Sequence, residues 1–448
     1  MLSWENYWPD HVCSEVTEAE INGRRVHVYK GMADSLYHAL RRTAARLPDK
    51  TAVEDDMGNS FSYAQLLDLS DKMAAVLQDG LGVRKGDHVG ILLFNGIEFC
   101  VSYLAVNKIG AVAVPLPGKF QKPEILSLIE KAEVAAVVCE EKFEPWIAEL
   151  TGIKTVVSKD SGNSDLEWSW NESKSENDAE PQGTWEDAAV LMFTSGTTSR
   201  SKGVVMKNYH VMNSVEAYRK TLNLSEADSS VIATPMYHVT GMICILSVFL
   251  TVGGTVFIMR RVDPDRMLTC FIEKQITFYH ASPTVFSMLL EKREMYPEIP
   301  SMKGFACGSG NMAPENIRKL KEWMPQAQFH TVYGMTETAG AGTIFPQGAA
   351  DSPWIGASGV PMPDLQVKIV DDSGEELREN EIGEICLRGS FVLDEYYHQQ
   401  TDLISEEGWL KTGDLGCYNQ EGFLYVVDRK KDMINAEGKR YAALILKM

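Results

Sequence analysis

Apolar residues settle into helical spacing early in the chain. Leu36, Leu40, Ala44 and Leu47 share one face and Pro48 follows, which predicts a helix over residues 34–47. Ser62-Tyr63-Ala64-Gln65 is a capping-box sequence. It opens a second predicted helix with Leu66, Leu69, Met73, Val76 and Leu77 along one side. Residues 89–94 form an unbroken apolar run, as expected of a strand covered on both faces. A helix (96–109), a strand (111–116), a helix (123–132) and a strand (134–139) then alternate. Such alternation specifies an α/β fold with a mostly parallel sheet.

Residues 239–259 carry no charged side chain and are long enough to span a bilayer. Gly253-Gly254 divides them, and Val256-Phe257-Ile258 beyond looks like a strand. The expected arrangement is a buried helix, a turn and a core strand, with no transmembrane span. Residues 158–187 are polar, acidic and rich in Ser and Asn, the texture of a surface insertion. Helix–strand alternation resumes over 203–333. From 354 to 414 short strands and turns take over: Leu365 to Val370, Asp371-Asp372-Ser373-Gly374, and Gly383 to Gly389. Residues 422–427 read as one more strand.

A chain of 448 residues exceeds one small core, so two or more domains or subdomains are expected. The formal net charge of −19, with no strong basic patch, argues against a nucleic-acid partner. The 8 cysteines are scattered without a CxxC pair, which suggests reduced thiols rather than zinc ligands or disulfides. The N-terminal residues lack the basic start and apolar core of a signal peptide. A cytoplasmic location is expected.

The chemistry concentrates after the apolar run 188–193. There the chain reads Thr194-Ser195-Gly196-Thr197-Thr198-Ser199-Arg200-Ser201-Lys202-Gly203. Small hydroxylated residues and glycines form a loop whose N–H groups can converge on one anion, and a nearby Lys completes a polyphosphate grip. A strand leading into it places the loop at the carboxyl edge of a sheet. It is not a Walker A loop. Counting from Gly196, Ser201 replaces the second Gly and Gly203 the final Ser/Thr of G-x-x-x-x-G-K-[ST].

Four more motifs follow in order. They are Pro235-Met236-Tyr237-His238-Val239-Thr240-Gly241, Tyr333-Gly334-Met335-Thr336-Glu337-Thr338, Gly408 to Gly416 around Gly413-Asp414, and Asp428-Arg429-Lys430-Lys431-Asp432. Together with the loop, the set resembles the adenylate-forming superfamily: acyl- and aryl-CoA synthetases, nonribosomal peptide adenylation domains and firefly luciferase. The texture is closest to fatty-acid and aryl-acid CoA ligases, and the resemblance covers the chain from about the first helix onward.

The resemblance implies a large N-terminal region over 1–427, with α/β subdomains over about 30–335 and a β-barrel-like subdomain over about 350–427. Residues 428–448 would be the hinge and stub of a small C-terminal domain that is otherwise missing. The implied chemistry is activation of a carboxylic acid with ATP and Mg²⁺, giving an acyl-AMP and pyrophosphate, followed by transfer to the thiol of CoA. A carboxylate, with a pKa of about 4, is already ionised, so the first step needs positioning and charge neutralisation rather than a base.

By the same resemblance, Thr194, Ser195, Gly196, Thr197, Thr198 and Lys202 hold the β- and γ-phosphates, although Ser199 and Ser201 stand where the family usually has Gly and Pro. Thr336 donates to the α-phosphate and Glu337 ligates Mg²⁺. Tyr333 stacks on adenine. Ser309, Gly310 and Asn311 occupy the adenine-edge strand, where glycine lets a flat base approach the backbone. Asp414 and Arg429 bind the ribose, and Lys431 marks the hinge. His238, Val239, Met242, Gly308 and Gly334 border the acyl pocket, with His238 as its gate.

No acidic residue lies in 235–250, so an α-ammonium group would lack a counter-charge and an amino acid substrate is disfavoured. A fatty or aryl acid fits the apolar lining. The acceptor is CoA or a carrier protein's phosphopantetheine arm. After Tyr441 the family would continue into a domain carrying a lysine that bridges carboxylate and α-phosphate. This chain reads Ala442-Ala443-Leu444-Ile445-Leu446-Lys447-Met448. The expectations are therefore a ligase slowed in adenylation, a stand-alone aryl-acid adenylase, or a non-catalytic adenylate-binding protein.

Overall fold

The computed structural model describes residues 1–21, 23–158, 179–194, 201–296 and 298–430, with the backbone of strands Ile434–Ala436 and Lys439–Tyr441. Ser195, Gly196, Thr197, Thr198 and Lys431 lie outside the described residues, as does most of the polar insertion.

Among the described residues the chain builds three large sheets. One has six strands in the order Gly203–Lys207, Ala188–Phe193, Val112–Pro115, His88–Leu92, Ala136–Glu140 and Lys154–Ser158. Its members are parallel except Gly203–Lys207, which returns antiparallel to Ala188–Phe193. The strands flanking the Ser/Thr/Gly segment thus pair as a hairpin, closed where the Thr194 N–H donates to the Lys202 carbonyl (3.0 Å).

The largest sheet has nine strands: Val360–Pro361, Gly342–Ile344, Gln328–Gly334, Gly304–Cys307, Phe278–Ala281, Ser229–Ile232, Thr255–Ile258, Thr51–Asp55 and Ser60–Ser62. Its central members run parallel. Consequently Pro235–His238, Gly308–Asn311 and Met335–Glu337 all leave the sheet at the same carboxyl edge, where α/β folds bind ligands. The third sheet is antiparallel, in the order Leu2–Ser3, Gln366–Val370, Gly383–Arg388, Leu410–Tyr418 and Leu424–Arg429.

The layers follow from the patterning. Helix Ile97–Lys108 is apolar around nearly its whole circumference and every residue except Glu98 is buried, as a helix enclosed between layers requires. Its last residue, Lys108, is buried and answered by Asp71 Oδ1 at 2.7 Å. Removing one partner from such a pair costs about 3–5 kcal/mol. Helix Tyr63–Ala75 starts on the expected capping box, with both Ser62 and Gln65 bonds formed. The apolar stretch 239–259 resolves as expected. Helical segments Thr240–Ser247 and Val248–Val252 end at left-handed Gly253 (φ 89°), and strand Thr255–Ile258 follows. No helix among the described residues is long and apolar enough to cross a membrane.

One expectation is corrected. Ser309, Gly310 and Asn311 are not on a strand: the strand ends at Cys307, and Ser309 at φ 63° turns the chain out of the sheet. They form a loop directly past the strand end.

Candidate active site

Two sheets and the hairpin meet at this carboxyl edge. On the hairpin, the Lys202 ammonium sits 4.7 Å from the centre of the Tyr396 ring. The Tyr396 hydroxyl donates to Glu337 Oε1 at 3.2 Å. Glu337 is buried on the one-turn helix Thr336–Thr338. The segment carrying Tyr396 is itself pinned at both ends: the Leu393 N–H donates to the Glu337 carbonyl (2.8 Å) and the Tyr397 N–H to the Gly203 carbonyl (2.8 Å). The base of the Ser/Thr/Gly hairpin and the carboxylate are thereby held to one strap. Burial pushes the Glu337 carboxyl above the usual carboxylate range. Its own backbone N–H, the Tyr396 hydroxyl and the charges of Lys202 and Arg429 oppose the rise.

The second cluster joins the large sheet to the antiparallel one. Asp414 and Arg429 are direct cross-strand partners, and Arg429 Nε lies 3.3 Å from Asp414 Oδ1. The Tyr333 hydroxyl crosses from the neighbouring sheet to donate to Asp414 Oδ2 at 2.9 Å. Burial, with the Asp414 charge beside it, holds the Tyr333 phenol far above its ordinary pKa, so it stays a donor. Asn311 makes a parallel link, its Nδ2 donating to the Val426 carbonyl (3.0 Å). Between these links lies the Gly310 loop. A side chain on Gly310 would meet only Pro283, at 3.5 Å.

On the other side of Gly334 is an apolar corner. A Cβ on Gly334 would fall 2.3 Å from the Gly340 carbonyl, so only glycine fits. Gly340 in turn packs against Val239 and Cys244. His238 starts the adjoining helix, its carbonyl accepting from the Met242 N–H (3.0 Å). The His238 side chain reaches the surface, yet protein mass around the ring, then the charge of Lys119, holds its pKa below the usual value. Met242, one turn on, is wholly buried.

Sequence reasoning missed two residues here. Tyr396 lies in Tyr396-Tyr397, and the aromatic pair after the Gly389 turn was the available signal. Asn95, also buried, has none that periodicity could reveal. Its Nδ2 donates to the Thr234 and Met259 carbonyls (both 3.0 Å), and its Oδ1 accepts from the Met236 N–H (2.8 Å). It fixes the turn that carries His238.

Comparison with known proteins gives the family. The family model described as AMP-binding enzyme matches residues 40–397. The chain is 28% identical to oxalate–CoA ligase of Arabidopsis thaliana, over 92% of this chain and 82% of that one. It is 30% identical to 2-succinylbenzoate–CoA ligase of Bacillus velezensis, over 89% and 79%. Among solved structures, o-succinylbenzoate CoA synthetase of Bacillus subtilis in complex with its acyl-adenylate intermediate superposes with a TM-score of 0.81 at 27% identity, covering 91% and 81%. The chain belongs to the AMP-binding enzyme family and, with it, to the adenylate-forming superfamily of CoA ligases.

Proposed function

We propose that this protein activates a carboxylic acid lacking an α-ammonium group, a fatty or aryl acid, with ATP, and passes the acyl group from the acyl-AMP to CoA. The observation that carries the reading is the geometry of one sheet edge: Tyr396 joins Lys202, at the base of the phosphate loop, to the buried carboxylate of Glu337, and Tyr333, on the strand leading to Glu337, joins the Asp414–Arg429 pair. A polyphosphate and a ribose would each find a complementary group within reach of that carboxylate.

In this reading Lys202 and the hydroxylated loop from Thr194 to Thr198 neutralise the β- and γ-phosphates, and Thr336 donates to the α-phosphate. The Tyr333 ring and the Gly310 backbone sandwich the adenine, with Ser309 and Asn311 along its edge. Asp414 accepts from the ribose hydroxyls while Arg429 donates to the same sugar. His238, Val239, Met242, Gly308 and Gly334 border the acyl chain, and Lys431 marks the hinge between the two half-reactions. Among the described residues no group of three His, Cys, Asp or Glu side chains converges as a metal cage. A single buried carboxylate suits Mg²⁺, which is ordinarily held by one or two carboxylates plus substrate phosphates. Glu337 would hold that ion, which supplies charge neutralisation at the phosphates. The reaction then needs no general base from the protein, because the acid arrives ionised.

The test is binding of a hydrolysis-inert acyl sulfamoyl adenosine, measured by calorimetry. Asp414→Asn removes a charged acceptor for two hydroxyls and is expected to weaken binding about ten- to a hundredfold, the equivalent of about 1.5–3 kcal/mol. Unchanged affinity in that variant would refute the ribose assignment.

A further inference from the structure

His280 is a buried histidine of the large sheet for which the acid-activation reading has no use. It lies on strand Phe278–Ala281, opposite Ala306 of the next strand, and is 2% exposed. Its Nδ1 is enclosed with no hydrogen-bond partner. Burial alone pushes the ring down to about 4, so at neutral pH it is a neutral imidazole with one donor and one acceptor. An unpaired polar ring of this kind in a core is costly, and native cores seldom leave one without a reason.

Its surroundings supply the reason. Nε2 lies 3.4 Å from the point where a side chain on Gly308 would begin. On the other side the ring is 5.9 Å from that of Tyr218. The Tyr218 hydroxyl is already committed, donating to the Gly340 carbonyl at 2.7 Å, and Gly340 is the residue packed against Val239. His280 therefore sits between Gly308 and the Tyr218–Gly340–Val239 wall, and Gly308 and Val239 are two of the residues assigned to the acyl pocket. The His280 Nδ1 is an enclosed side-chain atom beside that wall without a hydrogen-bond partner.

We infer that His280 is a specificity residue at the floor of the acyl pocket, and that it selects acids whose tail carries an oxygen able to hydrogen bond, a hydroxyl or a second carboxyl, over plain hydrocarbon tails. This rests on the acid-activation reading and narrows its substrate class. A site built around a buried polar group discriminates strongly against a ligand that leaves that group unpaired.

The experiment uses pairs of acyl sulfamoyl adenosines matched in length, one ending in methyl and one in hydroxyl or carboxyl, over a range of lengths. Affinities are measured by calorimetry on the full chain. In the parent protein, at least one oxygen-bearing member is expected to bind about tenfold tighter than its methyl partner. In His280→Leu the preference disappears or reverses, while the methyl adenylates still bind and so report a folded pocket. His280→Gln, which keeps a donor and an acceptor, restores part of the preference. Hydroxyl against carboxyl arms identify which oxygen group is read. Equal affinities within every pair, or a preference unchanged in His280→Leu, overturn the inference and leave acid activation standing. Failure of every adenylate to bind overturns both.

Discussion

Gly310 and Gly334 sit within one site but answer to different demands. At Gly334 a methyl group would collide with the Gly340 carbonyl at 2.3 Å, backbone against backbone, with nothing flexible to give way. At Gly310 the same methyl meets only Pro283 at ordinary contact distance, and the backbone carries no positive φ. Gly334→Ala is therefore expected to cost about 1–3 kcal/mol of stability, read as a lower midpoint in urea. Gly310→Ala is expected to leave that midpoint unchanged yet weaken ATP and adenylate binding, because the space it fills is where the base is proposed to approach the backbone. If Gly310→Ala binds ATP as the parent does, the adenine does not lie there.

At the scale of elements, the amino ends of three neighbouring strands of the large sheet are tied by one carboxylate. Asp228 accepts from Ser225 N–H (2.9 Å), the Thr277 hydroxyl (2.9 Å) and Lys303 Nζ (2.8 Å). Burial raises its pKa, but the bonds from Lys303, Ser225 and Thr277 outweigh that and hold it below the usual range. Because the folded pKa is depressed, this stabilisation is complete above the unfolded value of about 3.9 and fades as pH falls through the folded one. The stability gap between the parent and Asp228→Asn is thus expected to be full at pH 6–7 and to shrink below about pH 4. A gap independent of pH would contradict the pairing. Much of this layer was legible in the sequence, because unbroken apolar runs and a capping box report local physics. The two-residue strand Leu2–Ser3 was not. It has no period to read, and its partner Gln366–Val370 lies at the other end of the chain. Nor was the exit of Ser309–Asn311 from the sheet, which depends on a positive φ at a serine. The motifs named Tyr333, Asp414 and Arg429, but not that strand register sets Arg429 opposite Asp414.

Across the whole molecule, the candidate site lies where sheets meet at one edge, and Asn95 holds part of that junction. It follows a strand of the six-stranded sheet, and its amide bonds three backbone groups that follow strands of the nine-stranded one. Asn95→Ala strands all three in the interior and is expected to lower stability by roughly 3 kcal/mol. An unchanged unfolding midpoint would show that water replaces the amide. Nucleotide and acid are proposed to meet between these sheets. The most direct test is a crystal structure with a hydrolysis-inert acyl sulfamoyl adenosine. The expected result is ribose hydroxyls within hydrogen-bond distance of Asp414, the base between Tyr333 and the Gly310 backbone, and the acyl tail running past Gly308 towards His280. Base and sugar bound elsewhere, with Asp414 still engaged only by Tyr333 and Arg429, would contradict it.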